Sequence, residues 1–283
     1  MASNTSTFAS ILTPEQVGEL VIQPLIVNSV AGQVLTPVTT SSHEYRIPVV
    51  TDDPSASWTA EGEEIDVSDA GIDEELVTPK KLAALTVITR ELANDSSPAA
   101  VDVVGQGIVR DLIRKTDQAL FTATTPDGPG GIPGISGVST VDAEGDYANI
   151  DPFSDAVYTA EQHNGVITAF VTNPATAMKL ARLKSGTDLN TPLLQADPTM
   201  PGKRQILGIP LLTSPYVTTV DDTVWAVPKA MAYMVIREAA EVEADRSVFF
   251  TSDRVAVRAI LRIGFGFPNP AAIVRITTDT GGS

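Results

Sequence analysis

Cysteine is absent from the chain, which excludes disulfides and thiolate metal sites alike. Histidine is almost absent: His43 and His163 are the two in the sequence. No His-x-x-x-His spacing exists, which argues against a zinc centre. No apolar run reaches about 18 residues, so no membrane-spanning helix is expected. The opening MASNTSTFAS lacks the basic-then-apolar order of a signal peptide. Positive charge is scarce. The 19 Lys and Arg stand against 35 Asp and Glu, a net charge of −16, and no basic patch of the kind nucleic-acid binders carry is present. Catalytic signatures are missing too. DGPGGIPG, from Asp127 to Gly134, has no Gly-Lys-Ser/Thr leading into a helix and reads as a turn region. GFG, from Gly264 to Gly266, ends a strand-like run instead of joining strand to helix, so it is no dinucleotide loop. No Gly-x-Ser-x-Gly elbow occurs. Asp221-Asp222 reads as a solvated turn ahead of an ion site. His163-Asn164-Gly165 reads as a helix end with Gly165 in the left-handed position, not as a catalytic histidine. No cofactor or metal is expected, and the chain does not read as an enzyme.

What is present is enough for a folded body. The chain has 283 residues, 43% of them hydrophobic, which supports one large domain or two ordinary ones. The negative charge is concentrated. Between Asp52 and Glu75 stand ten carboxylates (Asp52, Asp53, Glu61, Glu63, Glu64, Asp66, Asp69, Asp73, Glu74, Glu75) and no Lys or Arg. Trp58 sits among them. Its neighbours cannot build a core, so it reads equally as a docking anchor on a partner and as a locally packed side chain.

Early in the chain, Thr13, Pro14 and Gln16 form a helix start, and Pro24 stops that helix after two or three turns. Such an arm has too little core of its own and is expected to dock on something. Residues 43–50, HEYRIPVV, alternate like a strand with Tyr45, Ile47 and Val49 on one face. ELVTPKKLAALTVITREL, residues 75–92, reads as a second strand. The two would flank the acidic excursion as an extended hairpin, longer than a tight turn requires. Ser97 and Pro98 start the best helix, which runs to Ala123 over roughly 39 Å with Val101, Val104, Ile108, Leu112 and Ala119 on one face. From residue 126 to 232 helical and strand signals alternate, an α+β texture. The last fifty residues hold three strand-like runs. In the second, Val255, Val257, Ala259, Leu261 and Ile263 share one parity, and Arg254, Arg258 and Arg262 share the other. That arginine row reads equally as a solvated sheet face and as a surface for an acidic partner.

Five segments in order also carry a family resemblance: SWTAEGEEI, PKKLAALTVITRELANDSSP, DGPGGIPGI, FVTNPATAMKLARLKSGTD with ILGIPLLTSPYV, and RVAVRAILRIGFGFPNPAAIVRIT. From about residue 45 the chain resembles the major capsid proteins of tailed bacteriophages with the Hong Kong 97 fold. The resemblance implies an α+β fold with an N-terminal arm (1–42), an extended hairpin loop (43–80), a peripheral domain with the long spine helix (81–125), an axial domain (126–232) and the closing strands of the peripheral domain (233–283). It implies a structural subunit that assembles with itself, as hexamers and pentamers, into an icosahedral head in the virion, built in the host cytoplasm. The head would enclose double-stranded DNA without sequence-specific binding. A portal and separate scaffolding or decoration proteins would be further partners. Many members begin with a long scaffolding segment; here the chain opens at the arm, so scaffolding is expected to be separate or unnecessary. Some members join subunits by a Lys–Asn bond from the loop. This loop has no lysine between Asp52 and Thr78, with Lys80 and Lys81 at its base and Asn269 far along the chain, so that bond is not expected.

Under this reading the acidic loop lies over a neighbouring subunit. Trp58 would be its anchor, and Glu61, Glu63 and Glu64 would face Arg110, Arg114 and Lys115 on the long helix or Arg254, Arg258 and Arg262 on the last sheet. The rivals are an encapsulin-like bacterial nanocompartment shell of the same fold and, from another class, an α/β hydrolase or other enzyme.

Overall fold

The structure is a computed structural model that describes residues 22–52, 54–56, 58, 59, 62, 71–89, 99–186, 189–194, 204–245 and 253–278. The helix starts expected at Thr13, Pro14 and Gln16 and at Ser97 and Pro98 lie outside the described residues. Two short helices, Gln23–Asn28 and Val30–Val34, come first. Strands β1 (Thr36–Thr40), β2 (Tyr45–Asp52), β3 (Gly71–Val77) and β4 (Lys80–Thr89) precede the long helix, Ala99–Leu120. At 22 residues that helix is about 33 Å long. Then follow β5 (Ser139–Asp142), a helix at Asp151–Gln162, β6 (Ala169–Thr172) and a helix at Pro174–Ala181. The remaining strands are β7 (Lys184–Gly186), β8 (Leu189–Pro192), β9 (Gln205–Ile206), β10 (Ile209–Thr213), β11 (Val224–Val227), β12 (Tyr233–Asp245), β13 (Arg254–Gly266) and β14 (Val274–Thr277).

Four strands form the first sheet in the order β1-β12-β13-β4. The parity read from sequence holds in β13. Val255, Val257, Ala259, Leu261 and Ile263 are all buried, and Ala259, Leu261 and Ile263 share one core with Ile108 and Leu112 of the long helix. The helix therefore covers the apolar face of the sheet. That same core takes in Leu25, Ala31, Val34 and Leu35. The expected docking of the N-terminal segment thus occurs on the chain's own long helix, and β1 extends the sheet by pairing parallel to β12.

Six strands form the second sheet, ordered β5-β14-β11-β6-β10-β9. Alternation gives it two buried faces. Phe170, Val224, Ala226, Val274 and Ile276 pack with Phe153, Ala156, Ala177 and Leu180 of the two shorter amphipathic helices. Val171, Trp225 and Val227 face the other way, into the core shared with the long helix. The helix at Pro174 starts there because Asn173 accepts the N–H of Ala175 at 2.9 Å and proline fits the first helical position.

Three expectations need correcting. β2 pairs with Gly71–Val77, inside the acidic segment, and not with a strand running on from Lys80. Pro79 separates β3 from β4, and β4 leaves the hairpin to pair with β13. Carboxylates tolerate that ribbon because Asp73 and Glu74 are exposed on it. β14 does not close the first sheet; it pairs with β11 and β5 in the second, so residues 233–283 serve both sheets. Finally, Asn164, not Gly165, takes the left-handed conformation after the Asp151–Gln162 helix (φ 59°).

Candidate intersubunit surface

The hairpin of β2 and β3 stands on one small cluster. Ile47 and Val77 are buried against Val235, with Tyr45 and Tyr233 beside them. Above this root both strands are largely exposed. Val50 lies opposite Ile72, Pro48 opposite Glu74 and Arg46 opposite Leu76, which puts these six on one face. Val50, Ile72 and Leu76 are among the exposed large apolar side chains of the chain. A groove of about 400 Å³ runs along this face, lined by Arg46, Pro48, Ile72, Asp73 and Glu74. Arg46 pairs with Glu74 at 2.6 Å. Further along, Trp58 is fully exposed, so local burial does not account for it. Glu61, Glu63 and Glu64 lie outside the described residues.

The arginine row of β13 is on the face opposite the long helix. Arg254 and Arg258 are exposed and Arg262 half-buried. Register adds residues that sequence parity alone did not reveal. Arg262 lies between Arg237 of β12 and Lys81 of β4, so three cations stand in a line across three strands. Among the described residues none of these three forms an ion pair. Like charges placed directly opposite are destabilising by a few tenths of a kcal/mol to about 1 kcal/mol. Beside Arg258 lies Leu85, 67% exposed, and beside Ala256 lies Val87. Two apolar side chains thus sit among cations on the edge strand. The signal for Lys81, Leu85 and Val87 was present in the alternation of residues 80–89, but assigning their face required the register with β13.

Arg110, Arg114 and Lys115 are exposed on the long helix. They do not join the arginine row, because the helix covers the opposite face of the sheet. Arg114 is already paired with Asp111 one turn earlier.

Elsewhere the polar groups have structural work. Asp222 takes a hydrogen bond from Thr176 at 2.9 Å and an ion pair from Lys179, and its carbonyl accepts the Tyr147 hydroxyl at 2.8 Å. The Asp221-Asp222 turn is therefore latched to a helix instead of freely solvated. Among the described residues no cluster of His, Asp or Glu could hold a metal. Burial raises the pKa of the Tyr147 hydroxyl, with the nearby Asp222 charge adding to the shift. The Gly-rich turn folds back on the residues just past the long helix: Gly131 donates its N–H to the carbonyl of Thr122 at 3.1 Å. A cavity of about 320 Å³ beside it is lined by Phe121, Ile132, Trp225 and Arg275 among others, with the Asp221 carboxylate 3.7 Å from Arg275. No described helix is long and apolar enough to cross a membrane.

A four-stranded sheet backed by a long helix, an outlying hairpin and a second sheet with helices form a mixed α+β architecture. The sequence model of the phage capsid family matches residues 9–278, and the chain belongs to that family. Solved structures agree on the fold. The capsid of an empty GTA particle computed with C5 symmetry superposes with a TM-score of 0.74 at 18% identity, covering 98% of this chain and 94% of the other. A chain of Microbacterium phage Oxtober96 gives 0.69 at 18% identity over 89% and 91%, and one of Gordonia phage Cozz 0.68 at 17% over 88% and 86%. No curated protein sequence matches the chain. The fold is of the Hong Kong 97 type, and the protein is a structural major capsid protein that self-associates into an icosahedral shell as a component of the virion.

Proposed function

We propose that this subunit builds the head of a tailed bacteriophage around double-stranded DNA, and that its acidic hairpin clasps the arginine-bearing sheet face of a neighbouring copy. The observation that carries the clasp is complementarity. One surface offers a fully exposed Trp58 in a segment of ten carboxylates and no cation. The other offers Lys81, Arg237 and Arg262 in line, with exposed Leu85 close by. The hairpin's exposed apolar face supports the same reading, since an isolated two-stranded ribbon is marginal in water until something packs on it. Copies would meet as hexamers and pentamers in the host cytoplasm. A portal and separate scaffolding or decoration proteins would complete the particle. The net charge of −16 would keep the shell from adhering to the DNA it encloses.

The test is assembly against salt. Single exposed ion pairs contribute only about 0–1 kcal/mol, but a shell repeats each one in every subunit. Glu61, Glu63 and Glu64 changed together to Gln should weaken assembly most at low salt, where screening is least. Trp58→Ala should weaken it at every salt concentration, by about 2 kcal/mol or more per contact if it is an anchor. Assembly and melting like the parent in both variants would refute the clasp. Particles that co-purify with an enzyme and without nucleic acid would favour a nanocompartment shell over a phage head.

A further inference from the structure

The face of β13 that carries the arginines ends in two positions without side chains, Gly264 and Gly266, and the hairpin's root crosses the sheet there. A Cβ added at Gly264 would lie 2.7 Å from Val77 Cγ1 and 3.3 Å from Pro79 Cα. One added at Gly266 would lie 2.5 Å from Ile47 Cδ1 and 2.7 Å from Val77 Cγ2. Real Cβ atoms essentially never come within 3.0 Å of such neighbours. Ile47 can swing its terminal methyl, but Val77 is β-branched and stiff, it is buried, and Pro79 is backbone. The root also has a polar fastening. Glu75 Oε1 accepts the N–H of Phe267 at 2.9 Å, while its Oε2 is buried and has no hydrogen-bond partner among the described residues.

We propose that Gly264, Gly266 and Glu75 set the direction in which the hairpin leaves the body, and through it the angle at which subunits join. The two glycines form a bare saddle on which Ile47 and Val77 sit, and the carboxylate of Glu75 ties the ribbon to the strand end just beyond that saddle. Gly-Phe-Gly is thus a bearing surface, with Phe265 on the opposite parity in the core. The consequence for assembly rests on the hairpin being an intersubunit contact; the direction itself does not.

Because the chain has no cysteine, Ala56→Cys on the hairpin and Gln118→Cys on the long helix give one clean spin-label pair in the full chain. Opening the saddle contact by about 1 Å tilts a strand of eight residues, roughly 26 Å long at about 3.3 Å each. With the pivot two residues, or about 7 Å, from the contact, the expected displacement at the far end is about 4 Å. Gly264→Ala and Gly266→Ala should shift the label distance by that order in unassembled subunits and yield particles of altered diameter or open sheets. Glu75→Ala should broaden the distance, and Glu75→Gln, which retains the acceptor, should not. Gly105→Ala is the control, since a Cβ there meets nothing within 4 Å. If Gly264→Ala does not fold, adding Val77→Ala removes the obstructing methyls, and the pair should fold with the parent's distance. A pair that still fails to fold would assign these glycines to folding alone and overturn the proposal. So would parent distances and parent particles in folded Gly264→Ala and Gly266→Ala. If the parent chain forms no particles, the capsid reading fails while the label distances still decide the saddle.

Discussion

Asp117 Oδ1 accepts the backbone N–H of Ala31 at 2.9 Å, across 86 positions of sequence, and Oδ2 accepts that of Val30 at 3.2 Å. A carboxylate on the buried face of the long helix therefore caps a five-residue helix from elsewhere in the chain. Ser29 serves the next donor locally, taking the N–H of Gly32 at 2.8 Å. A helix this short does not form alone. Its donors are satisfied because the long helix supplies the acceptor, which couples the N-terminal segment to the core between that helix and the first sheet.

Asp117→Ala would leave two backbone donors unpaired, and the buried one, Ala31 N–H, costs about 1–3 kcal/mol. Melting of unassembled subunits should fall accordingly, and limited proteolysis should open near residues 22–35. The pH dependence has a definite sign. Burial raises the Asp117 pKa above its ordinary 3.8, more than its two backbone hydrogen bonds lower it. A raised carboxylate pKa means that the folded state holds the proton more tightly than the unfolded one. The linked stability is full below about pH 3.8 and is lost as pH rises through the folded value. The melting difference between parent and Asp117→Asn should therefore shrink or reverse from pH 3 towards neutrality. A difference independent of pH would show that the group does not titrate differently on folding.

The apolar parity of β13 and of the long helix was legible because each has one buried face with a simple period. The hairpin's second strand was not. Residues 71–77 alternate only weakly, since Val77 alone is buried and only Gly71 and Glu75 are half-buried. β14 looked like a closing strand because its composition suits any sheet, and composition does not say which strand it pairs with. The arginine row was readable from parity, but Lys81 and Arg237 joined it only through register across three strands. Gly264 and Gly266 were visible as a motif. Their role needed the knowledge of what lies above them.

The cation line makes a prediction of opposite signs. Arg262→Gln removes the middle charge between Arg237 and Lys81, which should leave the unassembled subunit unchanged or stabilise it by up to about 1 kcal/mol. Under the proposed clasp the same change should raise the concentration needed for assembly, because a neighbour's carboxylates would lose a partner. Loss of stability together with unchanged assembly would mean that Arg262 serves its own fold.

No covalent linkage between subunits is expected. The Asn269 amide donates to the carbonyl of His163 at 2.8 Å and lies 3.5 Å from the sulfur of Met231, so it is engaged within its own chain. Lys80 and Lys81 stand at the first positions of β4, not out on the loop. Particles boiled in denaturant should run as one band near 29.8 kDa. A ladder of multimers surviving that treatment would show a lysine cross-linked after all.

Two glycines associated with the long helix should respond in opposite directions. A Cβ at Gly131 would lie 2.3 Å from the carbonyl oxygens of both Ala119 and Leu120. Those atoms are the backbone of the helix's last turn and cannot step aside without unwinding it. Gly131→Ala should cost about 1–3 kcal/mol, the range for forcing extra carbon into a packed site, and should loosen the junction through which the helix passes into the second sheet. Gly105 lies inside the helix with open space around it. Gly105→Ala should gain up to about 1 kcal/mol from helix propensity alone. Thermal melting of unassembled subunits reads both changes. If Gly131→Ala melts with the parent, the turn does not bear on the helix end as the structure places it. If Gly105→Ala melts lower, something outside the described residues occupies the space beside that glycine.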